Sequence, residues 1–164
     1  MFEAKAIVSD DKVTVYRDLA EQLGALLSDE RDPVANAANT AALLFTSLPG
    51  LNWAGFYFLR SADELVLGPF QGKPACVRIA VGRGVCGTAV KERRSILVED
   101  VHAFADHIAC DAASRSELVV PLISGTRILG VIDLDSPLPA RFDLDDQRGI
   151  ETIAALYVTA SAEP

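Results

Sequence analysis

Three cysteines, Cys76, Cys86 and Cys110, are the softest nucleophiles in the chain, and an odd number of them is poor material for a disulfide framework. A free cysteine usually packs as a small hydrophobe. Two of these stand in other settings. Cys86 lies in Gly82-Arg83-Gly84-Val85-Cys86-Gly87, and Cys110 lies in the weakly periodic His107-Ile108-Ala109-Cys110-Asp111. Loops held by a rigid scaffold are where chemistry concentrates. Cys86 is expected at the start of a short helix, where the dipole lowers a thiol pKa. The sulfurs are ten and 24 positions apart without a C-x-x-C knuckle, and His102 and His107 flank a loop, so no metal or other cofactor is expected.

Carboxylates form the second group. Glu117 precedes an apolar run, and Asp133 and Asp135 stand two apart at the end of the next one, so both point to one side of a strand. If the two runs pair as a hairpin, all three carboxyls reach the same end of a sheet. Leu134 between the aspartates, and Gly130-Val131-Ile132 before them, point to a cleft there rather than a solvated edge.

The glycine run at Gly82–Gly87 matches G-x-G-x-x-G, with Glu99 and Asp100 near the spacing of a ribose ligand. The helix that follows it is too short to cross back over a parallel sheet, and hairpins surround it. The glycines therefore serve a tight turn, or backbone N–H groups facing a small anion such as a carboxylate.

The elements that must position these groups are legible. Val13, Tyr16, Leu19, Ala20, Leu23, Leu26 and Leu27 form the stripe of a helix over Val13–Ser28. A second helix, capped by Asp32 with Pro33 in its first position, runs to about Ser47 and is stopped by Pro49 and Gly50. Strands are expected at Trp53–Leu59, Glu64–Phe70, Cys76–Val81 and Ser95–Val98. Residues 99–117 read as irregular with one helical turn. A hairpin of Leu118–Ile123 and Arg127–Leu134 follows, then a helix capped by Asp143 and ending near Ala160. Hairpin-linked strands with packed helices give an α+β fold: a central antiparallel sheet in one domain over 1–164, with its core at about 13–160.

Composition excludes other classes. The chain has 164 residues, half of them apolar, enough to bury about 70% of its unfolded surface. Fifteen basic against 23 acidic residues, net −8, disfavour nucleic acid as a partner. No apolar run reaches the roughly 18 residues of a membrane span, and the N-terminus lacks the pattern of a secretory signal. A cytoplasmic protein acting on a small molecule or another protein is expected.

Nearly the whole chain, from about Tyr16 to Leu156, resembles the free methionine-(R)-sulfoxide reductases, which are built on a GAF domain. The resemblance is carried by Asn52-Trp53-Ala54-Gly55-Phe56-Tyr57, Leu67-Gly68-Pro69-Phe70-Gln71-Gly72, Gly84-Val85-Cys86-Gly87 and Val98-Glu99-Asp100-Val101. It extends through His107-Ile108-Ala109-Cys110-Asp111, Ser114-Arg115-Ser116-Glu117 and Leu134-Asp135-Ser136-Pro137. All three family cysteines are matched. The resemblance implies a GAF-like domain that reduces free L-methionine-(R)-sulfoxide to methionine, with Cys110 as the attacking thiolate.

A sulfoxide is a poor electrophile until its oxygen is protonated or strongly hydrogen-bonded, and Glu117, Asp133 and Asp135 are the candidate acids. The remaining charges would hold the substrate ammonium, and Trp53 and Tyr57 would wall its methyl group. Cys86 or Cys76 would condense with the Cys110 sulfenic acid to a disulfide, which thioredoxin would reduce. A homodimer is also implied. The rival reading is a GAF-type sensory module that binds a cyclic nucleotide or another small molecule without turning it over; a stand-alone chain of this length disfavours it.

Overall fold

Aspartates begin the three long helices. Asp11 accepts from the Thr14 N–H at 3.0 Å and opens α1, Lys12–Leu27. Asp32 accepts from Val34 and Ala35, with Pro33 at the first position of α2, Pro33–Ser47. Asp143 forms a capping box with Asp146 at the head of α4, Leu144–Ala160. The structure, a computed structural model, describes residues 5–105, 108 and 111–162. His107 and Cys110 lie outside the described residues. Among the described residues no helix is long and apolar enough to cross a membrane.

Six strands form one sheet in the order β3-β2-β1-β6-β5-β4, every neighbouring pair antiparallel. They are β1 Trp53–Ser61, β2 Glu64–Gly72, β3 Arg78–Ala80, β4 Ile96–Val98, β5 Ser116–Ser124 and β6 Arg127–Ser136. The remaining helix, α3 Gly84–Glu92, lies between β3 and β4, and Val101–Ala103 makes a 3₁₀ turn within the stretch expected to be irregular with one helical turn. The α+β architecture with a central antiparallel sheet is as the sequence indicates.

Strand periodicity divides the molecule into two cores. Ala54, Phe56 and Phe58 of β1, Leu118, Val120 and Leu122 of β5, and Ile132 and Leu134 of β6 pack under α1, α2 and α4. Their odd-numbered neighbours Trp53, Tyr57, Val119 and Val131 face α3 instead. Glu117, Asp133 and Asp135 have that second parity, which puts all three on the α3 side of the sheet.

Several strand boundaries differ from expectation. Cys76 is outside β3, because Pro74 offers no N–H and β3 pairs only with Glu64–Val66 of β2. The first hairpin closes over Ala62 and Asp63, so β1 and β2 are longer than their apolar runs. β5 and β6 also extend beyond theirs, to Ser116 and Ser136. Glu117 and Asp135 are therefore paired strand residues rather than residues flanking strand ends.

Candidate active site

Register assembles the site. Glu117 of β5 is opposite Asp135 of β6, and Asp135 is in turn opposite Trp53 of β1. Two rungs along, on the same face, Asp133 is opposite Gly55 on β1 and Val119 on β5. A side chain at Gly55 is excluded, since a Cβ there would lie 2.4 Å from Phe70 Cβ and 2.6 Å from Trp53 Cη2. That vacancy lets the indole lie across the sheet, stacked on Phe70 at 5.3 Å and on Tyr57 at 5.9 Å.

The aromatic wall also holds the segment that carries Cys76. Trp53 Nε1–H donates to the Lys73 carbonyl at 3.1 Å, and the Tyr57 hydroxyl donates to the Cys76 carbonyl at 2.9 Å. Opposite the wall, the glycine run brings α3 against β3. A Cβ on Gly87 would come 2.3 Å from the Ala80 carbonyl oxygen, and Gly84 has φ +59°. Tight turning and close packing thus account for these glycines, and they set Cys86 into the cleft.

These elements enclose a narrow cleft. Trp53, Tyr57 and Ile79 form its apolar walls, and Cys86, Glu117, Asp133 and Asp135 its polar side. Cys86, Glu117 and Asp133 are buried and Asp135 is half-buried. The cleft therefore brings together Trp53, Tyr57, Cys86 and all three predicted carboxylates. Cys76, half-buried, is tied to it through its carbonyl. Cys110 lies outside the described residues, although its chain neighbour Asp111 and nearby Ile108 both line the cleft. His102 is exposed on the 3₁₀ turn.

Burial dominates the electrostatics. It pushes the Glu117 and Asp133 carboxyls well above the usual carboxylate range, and each is raised further by a carboxylate neighbour, Asp135 for Glu117 and Glu117 for Asp133. Asp135 is raised by burial and then by Asp133, partly offset by a hydrogen bond with Ser114. The expected lowering at Cys86 is not found. Burial, followed by the Asp133 and Glu117 charges, raises its thiol pKa well above the ordinary value. Burial, reinforced by two carboxylates, outweighs the dipole of a nine-residue helix.

A polar chain leads from this floor to the rim. Asn52 Nδ2 donates to Ser114 Oγ at 3.0 Å and to Asp111 Oδ2 at 3.3 Å, and Lys73 Nζ pairs with Asp111 at 3.2 Å. Lys73 and the Ala113 N–H keep the Asp111 carboxyl below its ordinary value, the backbone bond first. The sequence assigns no role to Asn52, Ser114, Asp111 or Lys73. Asn52, Asp111 and Ser114 sit inside motifs that carry the resemblance, which is the one signal they give.

Comparison with known proteins agrees with this geometry. The GAF domain family model matches residues 3–160. The free methionine-R-sulfoxide reductase of Escherichia coli (strain K12) is 52% identical over 145 residues, which span 88% of this chain and 87% of that one. The chain belongs to the free methionine-R-sulfoxide reductase family of GAF domains. Another relative, Protein YtsP of Bacillus subtilis (strain 168), is 53% identical over 156 residues, 94% of this chain and 96% of that protein. Among solved structures, a free methionine-R-sulfoxide reductase from Neisseria meningitidis, in complex with its substrate, superposes with a TM-score of 0.93. It is 45% identical to this family member and covers 98% of this chain and 95% of its own.

Proposed function

We propose that the protein reduces free L-methionine-(R)-sulfoxide to L-methionine. The observation that carries this reading is buried Glu117 and Asp133 and half-buried Asp135 beside the Cys86 thiol, in a cleft walled by Trp53 and Tyr57. Raised carboxyl pKa values keep a proton available near neutrality, and the sulfoxide oxygen needs one to leave. The ionised members of the trio hold the substrate ammonium, backbone N–H groups at the head of α3 receive its carboxylate, and the aromatic wall receives its methyl group.

In the reaction, the Cys110 thiolate attacks the sulfoxide sulfur while a carboxylic acid protonates the oxygen. Collapse releases methionine and leaves Cys110 as a sulfenic acid: the sulfoxide gains two electrons and Cys110 loses two. A second thiol then forms the S–S bond and water departs. Thiols attack as thiolates, and burial keeps Cys86 protonated, so the resolving role falls first to Cys76 and second to Cys86. A dithiol of the thioredoxin class reduces the disulfide. The whole chain, 1–164, acts as one domain in a cytoplasmic homodimer.

The test is to incubate the reduced protein with each sulfoxide epimer of free methionine and count the remaining thiols. Loss of two thiols with the R epimer alone is expected. No loss with either epimer would overturn the reductase reading in favour of a sensory module, and equal loss with both would overturn its stereochemistry.

A further inference from the structure

Cys86, Glu117 and Asp133 come from three different elements, α3, β5 and β6, and place one sulfur and two carboxylate oxygens within 4.8 Å of one another. Asp133 is only 6% exposed, lines the cleft, and its Oδ1 has no hydrogen-bond partner among the described residues. A buried carboxylate oxygen left in that state is costly and marks a site short of a donor or a cation. Lys73, whose side chain lines the cleft, is engaged with Asp111 at the rim.

The donor set discriminates among cations. One thiolate with two carboxylates suits a borderline-soft ion such as Zn²⁺, which accepts sulfur and oxygen in a four-coordinate shell. Mg²⁺ and Ca²⁺ are hard ions that favour all-oxygen shells completed by water, so a thiolate among the donors selects against them. Zinc–ligand bond lengths put neighbouring tetrahedral donors roughly 3.4 to 3.7 Å apart, so side-chain movement on the order of 1 Å gathers the three atoms about one ion.

We propose that the reduced cleft is a binding site for a thiophilic divalent cation of the Zn²⁺ class, held by Cys86 Sγ, Glu117 and Asp133. Asp133 Oδ1 contributes the open donor. Binding forms one metal–sulfur and two metal–oxygen bonds and expels the protons those groups carried; no electron moves. The fourth position is left to water or to Asp135. The ion occupies the carboxylates that a cationic substrate group would need, so it competes with any such ligand of the cleft.

The full reduced chain is titrated with Zn²⁺ against a chromophoric chelator, and with Co²⁺ to read a thiolate-to-metal charge-transfer band. Expected are one ion per chain, a band lost in Cys86→Ser and kept in Cys76→Ser, and no displacement by excess Mg²⁺. Asp133→Asn is expected to weaken Zn²⁺ by more than about tenfold with an unchanged circular dichroism spectrum. If that variant does not fold, Glu117→Gln is measured with the same expectation. A band that survives Cys86→Ser or disappears equally in Cys76→Ser overturns the site. So does an affinity unmoved by the carboxylate change, or no binding at all. These readouts need no catalysis, so a failed thiol count with each epimer would leave them standing.

Discussion

Glu117 and Asp135 share one rung of the β5–β6 ladder, so two carboxyls face each other where like charges repel most strongly. Trp53 stands on the far side of Asp135 in the same row. Such a row is unfavourable as structure, and burial makes it more so. Under the proposed function, such a row keeps a proton for the sulfoxide oxygen and attracts the substrate ammonium.

Removing that proton should affect chemistry before affinity. Asp135→Asn or Glu117→Gln is expected to lower the single-turnover rate by about 10² or more. KM should change by less than about tenfold. Rapid-quench measurement of methionine formation distinguishes the two; an unchanged rate removes the acid role from the mutated residue.

Cys110→Ser is expected to abolish methionine formation even in the first turnover, with a loss of more than about 10³-fold. Cys76→Ser should still form one methionine per chain and then stop as a sulfenic acid, detectable with dimedone by mass spectrometry. Full multiple turnover by Cys76→Ser would move the resolving role to Cys86.

The raised carboxyl pKa values also set a pH dependence of stability. Below about pH 4 the folded and unfolded forms both hold these protons. As the pH rises, the unfolded chain ionises first while the folded one keeps its protons, so stability falls toward the folded pKa values. Asp143 has the opposite sign: Lys12 holds its carboxyl down at about 2, and its contribution is lost as pH drops from 3.8 toward that value. Thermal unfolding should therefore give a higher Tm at about pH 5.5 than at pH 8, and Asp133→Asn should flatten the slope. A Tm that climbs from the lower pH to the higher contradicts the burial of the trio.

A stability effect separate from the cleft is expected at Asp146. Its side chain, 1% exposed, accepts from the Tyr16 hydroxyl at 2.9 Å and from Arg141 at 3.2 Å, and also pairs with Lys12. Asp146→Ala leaves those donors without their carboxylate and should cost about 3–5 kcal/mol. Urea titration measures the loss, and protein that remains folded should keep the wild-type single-turnover rate.

How much of this was legible in the sequence depended on range. Asp32-Pro33 and Asp143 announced their helices because capping is local. The parity of Asp133 and Asp135 was readable from strand periodicity. The extent of β5 and β6 was not, because Glu117 and Asp135 interrupt the apolar alternation that marks a strand while still occupying ladder positions. The Cys86 thiol was misread for a related reason: its helix is visible in the sequence, whereas the carboxylates opposing the dipole arrive from strands 31 and 47 residues later. The Lys73–Asp111–Asn52 link joins three separate loops, and no periodicity reports it.

Trp53 is the chain's single tryptophan. Its indole stacks on Tyr57 and Phe70, and its N–H is fixed to the Lys73 carbonyl in the segment leading to Cys76. Intrinsic emission excited at the red edge of the protein spectrum thus comes from one fluorophore at the wall of the cleft. Occupancy and oxidation can be followed in real time on unlabelled protein, with no signal from elsewhere in the molecule to subtract.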